Sequence, residues 1–397
     1  MNHKPLLTLL ALLFIFAACK KDSGTSGPPP ASEPLNIAAA KPGDTLYIKG
    51  ENFSTDLTKN TVQINGVAAT IVVASATELK VVIPTTATTG AVTVTVNGQT
   101  IEVGTLTIVP PTLFVYKRNY QDPNNYLKQL FTIDPVSGQE TLLCTLPDSL
   151  STLLEDPVYL PATNEIIGLS GYHSIGLFKV NVTTKQTAYV TLGPSNPTGD
   201  FMELVVDKFS NLYSIKRDWS NPNHYMQTLV KVDPKTGAHT NIKSFEYGAY
   251  WSSLVYLPSS NEVIGITGPN ELIKLNLTTK DTSWVILPGD FDKPFYELAV
   301  DNQSNLYGFQ AIYAAQGDGQ GHFHKLNPVT GQATLLHTFN NYHNVESNMV
   351  YLPNRNELVA VWDLNKLYRF NITTKATGTA PLTTQTQNMN YGDLVVN

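Results

Sequence analysis

Apolar and polar residues alternate along this chain in short runs, set apart by clusters of Gly, Pro, Asn and Asp. A period of two read over a few residues predicts half-buried β-strands. From Pro110 onward the runs return as a set. The clearest marker is the turn after the third run of each set: Asp134-Pro135, Asn181-Val182, Asp233-Pro234, Asn276-Leu277, Asn327-Pro328 and Asn371-Ile372. Four short strands recurring about every 40–50 residues predict propeller blades rather than a helical solenoid. Six markers predict six blades.

The markers alternate in kind. Asp134, Asp233 and Asn327 precede Pro-x-(Ser/Thr)-Gly, whereas Asn181, Asn276 and Asn371 precede an aliphatic residue and Thr-Thr-Lys. Both suit tight hairpins, because Asp or Asn bonds its own downstream backbone, Pro presets φ and Gly accepts a positive φ. Turn chemistry also explains the Asn-x-Thr sequons at Asn181, Asn276 and Asn371 better than glycosylation does. The innermost runs alternate too. Glu203-Leu-Val-Val-Asp207 and Glu297-Leu-Ala-Val-Asp301 stand against Pro157-Val-Tyr-Leu-Pro161, Leu254-Val-Tyr-Leu-Pro258 and Met349-Val-Tyr-Leu-Pro353. The first blade lacks such a run before Leu113, and the last residues, Gly392-Asp393-Leu394-Val395-Val396-Asn397, supply it. The expected fold is therefore all-β, with a propeller over 112–397 closed by its C-terminal strand, which leaves no open sheet edge.

Residues 35–109 read as a separate sandwich. Pro42-Gly-Asp-Thr-Leu-Tyr-Ile-Lys-Gly-Glu-Asn-Phe53, Val62-Gln-Ile-Asn-Gly66, Thr77-Glu-Leu-Lys-Val-Val-Ile-Pro84 and Gly90-Ala-Val-Thr-Val-Thr-Val96 are short strands between turn residues. In this order they resemble the IPT/TIG family of immunoglobulin-like domains, which implies a spacer or interaction module. The repeats from residue 112 resemble the broad NHL/YVTN class of propellers, which implies a fold and no activity. Val109-Pro110-Pro111 is a short, stiff joint between the two.

At the N-terminus, Lys4, an apolar run from Leu6 to Phe16 and Ala17-Ala18-Cys19 form a targeting segment too short to span a bilayer. Small residues before a cysteine resemble the lipobox of bacterial lipoproteins. That implies residues 1–19 as a lipoprotein signal with its lipobox, cleaved before Cys19, with Cys19 lipidated as the first mature residue and the membrane as a partner. Lys20-Lys21-Asp22 resembles the surface-export tags of Bacteroidetes lipoproteins, so the expected location is the outer membrane, lipid-anchored and facing outward. The Gly/Ser/Pro-rich residues 20–34 then serve as a tether. The only other cysteine is Cys144, so an acylated Cys19 leaves no disulfide; in an alternating run Cys144 reads as a small buried hydrophobe. A net charge of −6 with no basic stripe argues against nucleic acid as a partner.

Two features could carry chemistry. Directly before the apolar part of each inner run stands a polar residue: Asp156, Glu203, Ser253, Glu297, Asn348 or Asp393. A propeller brings these together around one channel. Oxygen donors in a ring suit Ca²⁺, with Asp156, Glu203, Glu297, Asn348 and Asp393 as ligands, and the position resembles the metal site of gluconolactonase-like propellers. A hydrated polar channel lining explains the same residues.

The second feature is a trio of long connections on alternate blades, 117–126, 216–225 and 313–322, where the partner blades use short ones. Arg118, Tyr120, Tyr126, Arg217, Trp219, His224 and Tyr225, joined by Tyr250 and Trp251 from another loop, mix flat apolar faces with planar hydrogen-bonding groups. This mix suits sugar rings or a peptide, although packing of the loops onto the rim would use some of it. No Gly-x-Ser-x-Gly, His-Glu-x-x-His, phosphate loop or Cys/His metal spacing is present. His322 and His324, on one strand face, read as a structural pair. Three functions follow: an envelope protein binding a glycan or protein through its propeller loops, a metal-dependent hydrolase or lactonase using the acidic ring, or a scaffold in an envelope complex.

Overall fold

The computed structural model describes residues 28–397 except 36, 38, 120–126, 148–154, 171–174, 194–198, 222–225, 246–250, 269, 289–293, 313–318, 343–347, 363–365 and 383–388. The N-terminal unit is one continuous sheet of eight strands folded onto itself. Its order is Ala31–Ser32, Thr45–Glu51, Glu78–Val82, Val67–Ala74, Asn60–Ile64, Gly90–Val96, Gln99–Ile108 and Ala39–Ala40. Alternation decides which side chains face inward. Leu46 and Ile48 are buried while Tyr47 and Lys49 between them are exposed, and Val62, Ile64, Val92 and Val94 close the same core from the other layer. The strand Val67–Ala74 passes between the layers with a register shift between Ile71 and Val73. Asn65-Gly66 and Asn97-Gly98, all at positive φ, make the two-residue hairpin turns that the strand twist favours.

The rest is six four-stranded sheets arranged as a β-propeller. Its first blade takes the strands Leu113–Asn119, Leu127–Ile133 and Glu140–Thr145 from one end of the domain and its innermost strand, Met389–Val396, from the other. Each inner strand touches the inner strands of both neighbours, all the way round. Every interface between adjacent blades has its own apolar cluster, so the blades are stabilised by one another rather than by a central core. Closure has a polar part as well. The Tyr391 hydroxyl on the C-terminal strand donates to Glu140 at 2.9 Å, and the buried Lys117 ammonium pairs with the same carboxylate beneath the Tyr391 ring.

The alternation of turn types has a steric cause. Gly138, Gly237 and Gly331 sit at φ near +75°, and a Cβ there would lie 2.0–2.2 Å from the carbonyl oxygen of Pro381, Thr191 or Ile286 on the outer strand of the preceding blade. Lys185, Lys280 and Lys375 hold the same left-handed conformation in the other three blades. Only one member of each blade pair presses its turn against a neighbour, and that member carries glycine.

Two outcomes are expected. Gly237→Lys should cost at least about 2 kcal/mol of stability, since strain and collision add, whereas Lys280→Gly should change it by less than about 1 kcal/mol; urea titration of both variants measures the asymmetry. Deletion of residues 392–397 should abolish the cooperative thermal transition, because it opens the blade ring and bares an edge strand; calorimetry of the truncated chain checks this.

Candidate functional site

The six polar residues ahead of the inner apolar runs do converge. Asp156, Glu203, Ser253, Glu297, Asn348 and Asp393 line one end of a central channel of about 540 Å³. Along the same strands the lining turns to Val206, Val300 and Val396 and to Tyr159, Tyr256 and Tyr351 at the other end. Each tyrosine hydroxyl donates to the asparagine that turns its strand, Asn164, Asn261 or Asn356, at 2.8–2.9 Å. In the blades between them, Asp207 and Asp301 organise the turn instead, accepting from the hydroxyls of Tyr213 and Tyr307.

The ring positions are unusual in backbone as well as side chain. Five inner strands shift register at or beside the ring residue, and Asp156, Glu203 and Ser253 have φ of 48°, 55° and 51°. A bulge of this kind takes a backbone N–H out of its own sheet, and leaving it buried and unpaired would cost roughly 1–3 kcal/mol. The ring side chain of the neighbouring blade accepts it. Asp156 accepts from the N–H of Glu203 at 2.9 Å, Glu203 from Leu254 at 3.2 Å, Ser253 from Leu298 at 2.7 Å and Asn348 from Leu394 at 2.7 Å. Asp393 accepts from Asn348 at 3.0 Å and also from the N–H of Asp156. The Ser253 hydroxyl in turn donates to the Glu297 carboxylate at 3.1 Å. Side chains on one blade thus complete the backbone of the next.

Crowding carboxyl groups around a narrow channel raises their pKa values. Burial is the first cause for Glu203, which is pushed up to about 7 against the pull of the Leu254 and Ser253 N–H groups. Asp156 and Glu297 rise well above the usual carboxylate range through burial, with the charges of Glu203 and Asp393 adding to it. Asp393 is raised by burial and held back by the two N–H groups it accepts from. Groups raised in this way keep a proton to higher pH than an ordinary carboxylate does.

Among the described residues, no three His, Cys, Asp or Glu side chains form a set able to hold a metal ion. Of the candidate ligands, Asp156, Glu203, Asn348 and Asp393 each give an oxygen to an N–H group of a neighbouring blade, and Glu297 accepts from the Ser253 hydroxyl.

The loop residues divide. On blade three, Asp200 forms a bidentate ion pair with Arg217, whose guanidinium lies 5.3 Å from the centre of the Trp219 ring. Asp200 is buried, while Arg217 and Trp219 are half-buried. Arg217, Lys216, Asp200, His239 and Phe201 border a cleft of about 140 Å³ facing Ile175 and Leu192 of blade two. Because Gly199 and Asp200 precede Glu203 on the inner strand, this cleft opens at the ring end of the propeller. Arg118 occupies the matching strand of blade one, paired with Lys128 and Asn390. Tyr120, Tyr126, His224, Tyr225 and Tyr250 lie outside the described residues.

Trp251 is a correction. Expected among exposed loop aromatics, it is fully buried in the cluster between blades three and four, against Phe245. It opens the inner strand Trp251–Leu257 rather than ending a loop. Phe295 begins its strand in the same way and is also buried, whereas the next residue, Tyr296, is exposed and lines the channel. Sequence reasoning missed Tyr296, although its place directly before a ring residue was the available signal. His322 and His324 do share a face, 5.8 Å apart, and burial lowers His324 to about 4. Cys144 is half-buried against the cluster between blades one and two.

Raised carboxyl pKa values fix the direction of a pH effect. A native state that keeps a proton which the unfolded chain has released loses stability as pH rises toward the native pKa. Half-buried His239 and His337 and buried His324 work in the opposite sense below about pH 6.5, so the ring dominates as pH rises from 6.5 through the Glu203 value of about 7. Glu203→Gln should therefore gain thermal stability relative to the parent by about 2–4 °C for each kcal/mol of relieved charge as pH rises across that window; calorimetric Tm values at pH 6 and pH 8 measure it.

The IPT/TIG domain model matches residues 31–116. No curated protein matches the chain. Solved structures similar to it include a protein of unknown function from Bacteroides thetaiotaomicron, at 14% identity and a TM-score of 0.45, covering 92% of this chain and 98% of that one. An auxiliary nutrient binding protein from Bacteroides ovatus is 12% identical, with a TM-score of 0.43, over 89% of this chain and 86% of that one. An oligogalacturonate lyase from Vibrio parahaemolyticus is 13% identical, with a TM-score of 0.42, over 68% and 80%. The chain consists of an IPT/TIG domain followed by a six-bladed β-propeller.

Proposed function

We propose that this protein is a lipid-anchored binding protein of the bacterial cell envelope, whose propeller takes a carbohydrate or protein ligand at the ring end. The observation that carries the reading is the Asp200–Arg217–Trp219 arrangement. A buried carboxylate fixes the guanidinium and the guanidinium supports the indole, so a flat apolar surface and a planar hydrogen-bonding group are ordered before a ligand arrives. Preorganisation of this kind lowers the entropy cost of binding, and an aromatic face beside planar donors suits the alternating apolar and hydroxyl surfaces of a sugar ring. The ring supports the same reading. Four carboxyl groups, Ser253 and Asn348 offer polar contacts in a pocket that Tyr296 borders.

Anchoring rests on Ala17-Ala18-Cys19, which lies outside the described residues. Lipidation there would place the propeller outside the membrane on the tether of residues 20–34.

The test is a panel of soluble polysaccharides and envelope proteins screened by affinity electrophoresis or biosensor. Trp219→Ala should weaken a retained ligand about tenfold or more, the loss of one stacked aromatic being roughly 1–3 kcal/mol. If no panel member binds, or the variant binds as tightly as its parent, the proposed ligand face is wrong. Cys19→Ser in the full-length chain should move the protein from the membrane fraction to the soluble one; retention in membranes would remove the lipid anchor from the proposal.

A further inference from the structure

The channel's far end, opposite the ring, is where the two domains meet. In the IPT/TIG domain the residues Lys41-Pro42-Gly43-Asp44 make a tight turn. The Lys41 N–H donates to the Asp44 carboxylate at 2.8 Å, the Asp44 N–H donates back to the Lys41 carbonyl, and Gly43 takes φ +87°. The turn is braced from below by Ile83, which accepts from the Gly43 N–H and donates to the Asp44 carbonyl.

From this turn two contacts reach the propeller. The Lys41 ammonium stands 4.0 Å above the centre of the Tyr159 ring, and the Asn302 side-chain amide donates to the Pro42 carbonyl at 3.1 Å. Tyr159 belongs to blade two and Asn302 follows the inner strand of blade five. In a ring of six, those blades stand directly across the channel from each other. Both residues lie toward the C-terminal ends of their inner strands, beyond the ring residues Asp156 and Glu297 and so at the far end. Adjacent residues of one turn can touch opposite walls of a tube only by lying over its opening.

The packing is close. A Cβ on Gly43 would fall 1.6 Å from the Asn302 amide nitrogen, so this position tolerates no side chain while the domains are docked. Burial also lowers the Lys41 amine to about 8, as expected for an ammonium withdrawn from water onto an aromatic face.

We propose that the IPT/TIG domain is a stopper for the propeller: its turn Lys41–Asp44 closes the far end of the channel, so that the channel is a pocket entered only past the carboxyl ring. This goes beyond the spacer role expected from the resemblance and does not depend on what the ligand is. It docks the two domains against each other through contacts beyond the joint at Val109-Pro110-Pro111.

The experiment uses the full chain with Cys19→Ser and Cys144→Ser, so that no native thiol interferes. In this background Val300→Cys places a thiol on the channel wall near the far end. Its modification by a bulky maleimide should be slow, and about tenfold faster when Lys41→Ala and Asn302→Ala remove both contacts of the turn. Gly43→Phe, whose side chain cannot keep its place against Asn302, should raise the rate as well. Equal labelling rates with and without these substitutions overturn the proposal. Lys41 and Asn302 lie outside both domain cores, so the double alanine variant keeps the test readable if Gly43→Phe perturbs folding.

Discussion

The structure depends on a defect repeated around its axis. A flat inner strand would satisfy all its backbone groups within its own blade and leave neighbouring blades joined by apolar contact alone. Here the inner strands bulge at the ring residue, and the bulge turns an N–H toward the next blade. That donor needs an acceptor, and the acceptor is a side chain from elsewhere in the ring. The requirement explains the residue types. Asp, Glu, Asn and Ser all accept, and Ser253 can also donate onward to Glu297. It also explains why carboxyl groups tolerate one another at this density: each is a hydrogen-bonding partner first and a charge second, and the raised pKa values are the consequence.

Much of this was legible in the chain, because what repeats can be aligned. The turn markers gave the blade count and the pairing of blade types, and the orphan run Gly392–Asn397 pointed to closure before any strand was seen paired. The ring residues were found for the same reason, each standing directly before an apolar run. The errors fall where one position decides which face a side chain takes. Trp251 was read as a loop aromatic, yet it is the first residue of a strand and points into an interface, as Phe295 does. Tyr296, one place further on, points the other way. Contacts without a period, such as Asn302 with Pro42, leave no trace in the pattern at all.

The two turn types show how sequence repetition and steric surroundings interact. Taken alone, a hairpin ending in Gly and one ending in Lys are alternative solutions to the same left-handed corner. In the assembled ring they are not interchangeable, because only the blades carrying Gly138, Gly237 and Gly331 bring that corner against a neighbour's carbonyl. A propeller built from pairs of blades can specialise one member for close contact and leave the other free to carry a longer side chain. The long connections follow the same division, extending from the blades whose outer corners are the crowded ones.

The two ends of the channel therefore do different work. At one end the inner strands present carboxyl, hydroxyl and amide groups, and the Asp200–Arg217–Trp219 arrangement stands at that same end. At the other end the lining is valine and tyrosine, the tyrosine hydroxyls are committed to turning the chain, and a second domain lies against the opening. An open tube exchanges water at both ends and keeps its wall groups solvated. Closing one end lowers the effective polarity of the remainder, which strengthens each hydrogen bond inside it and raises the cost of ionising the carboxyl groups there. The contact of Lys41 with Tyr159 and the raised pKa of Glu203, at opposite ends of the inner strands, are in this sense parts of one arrangement.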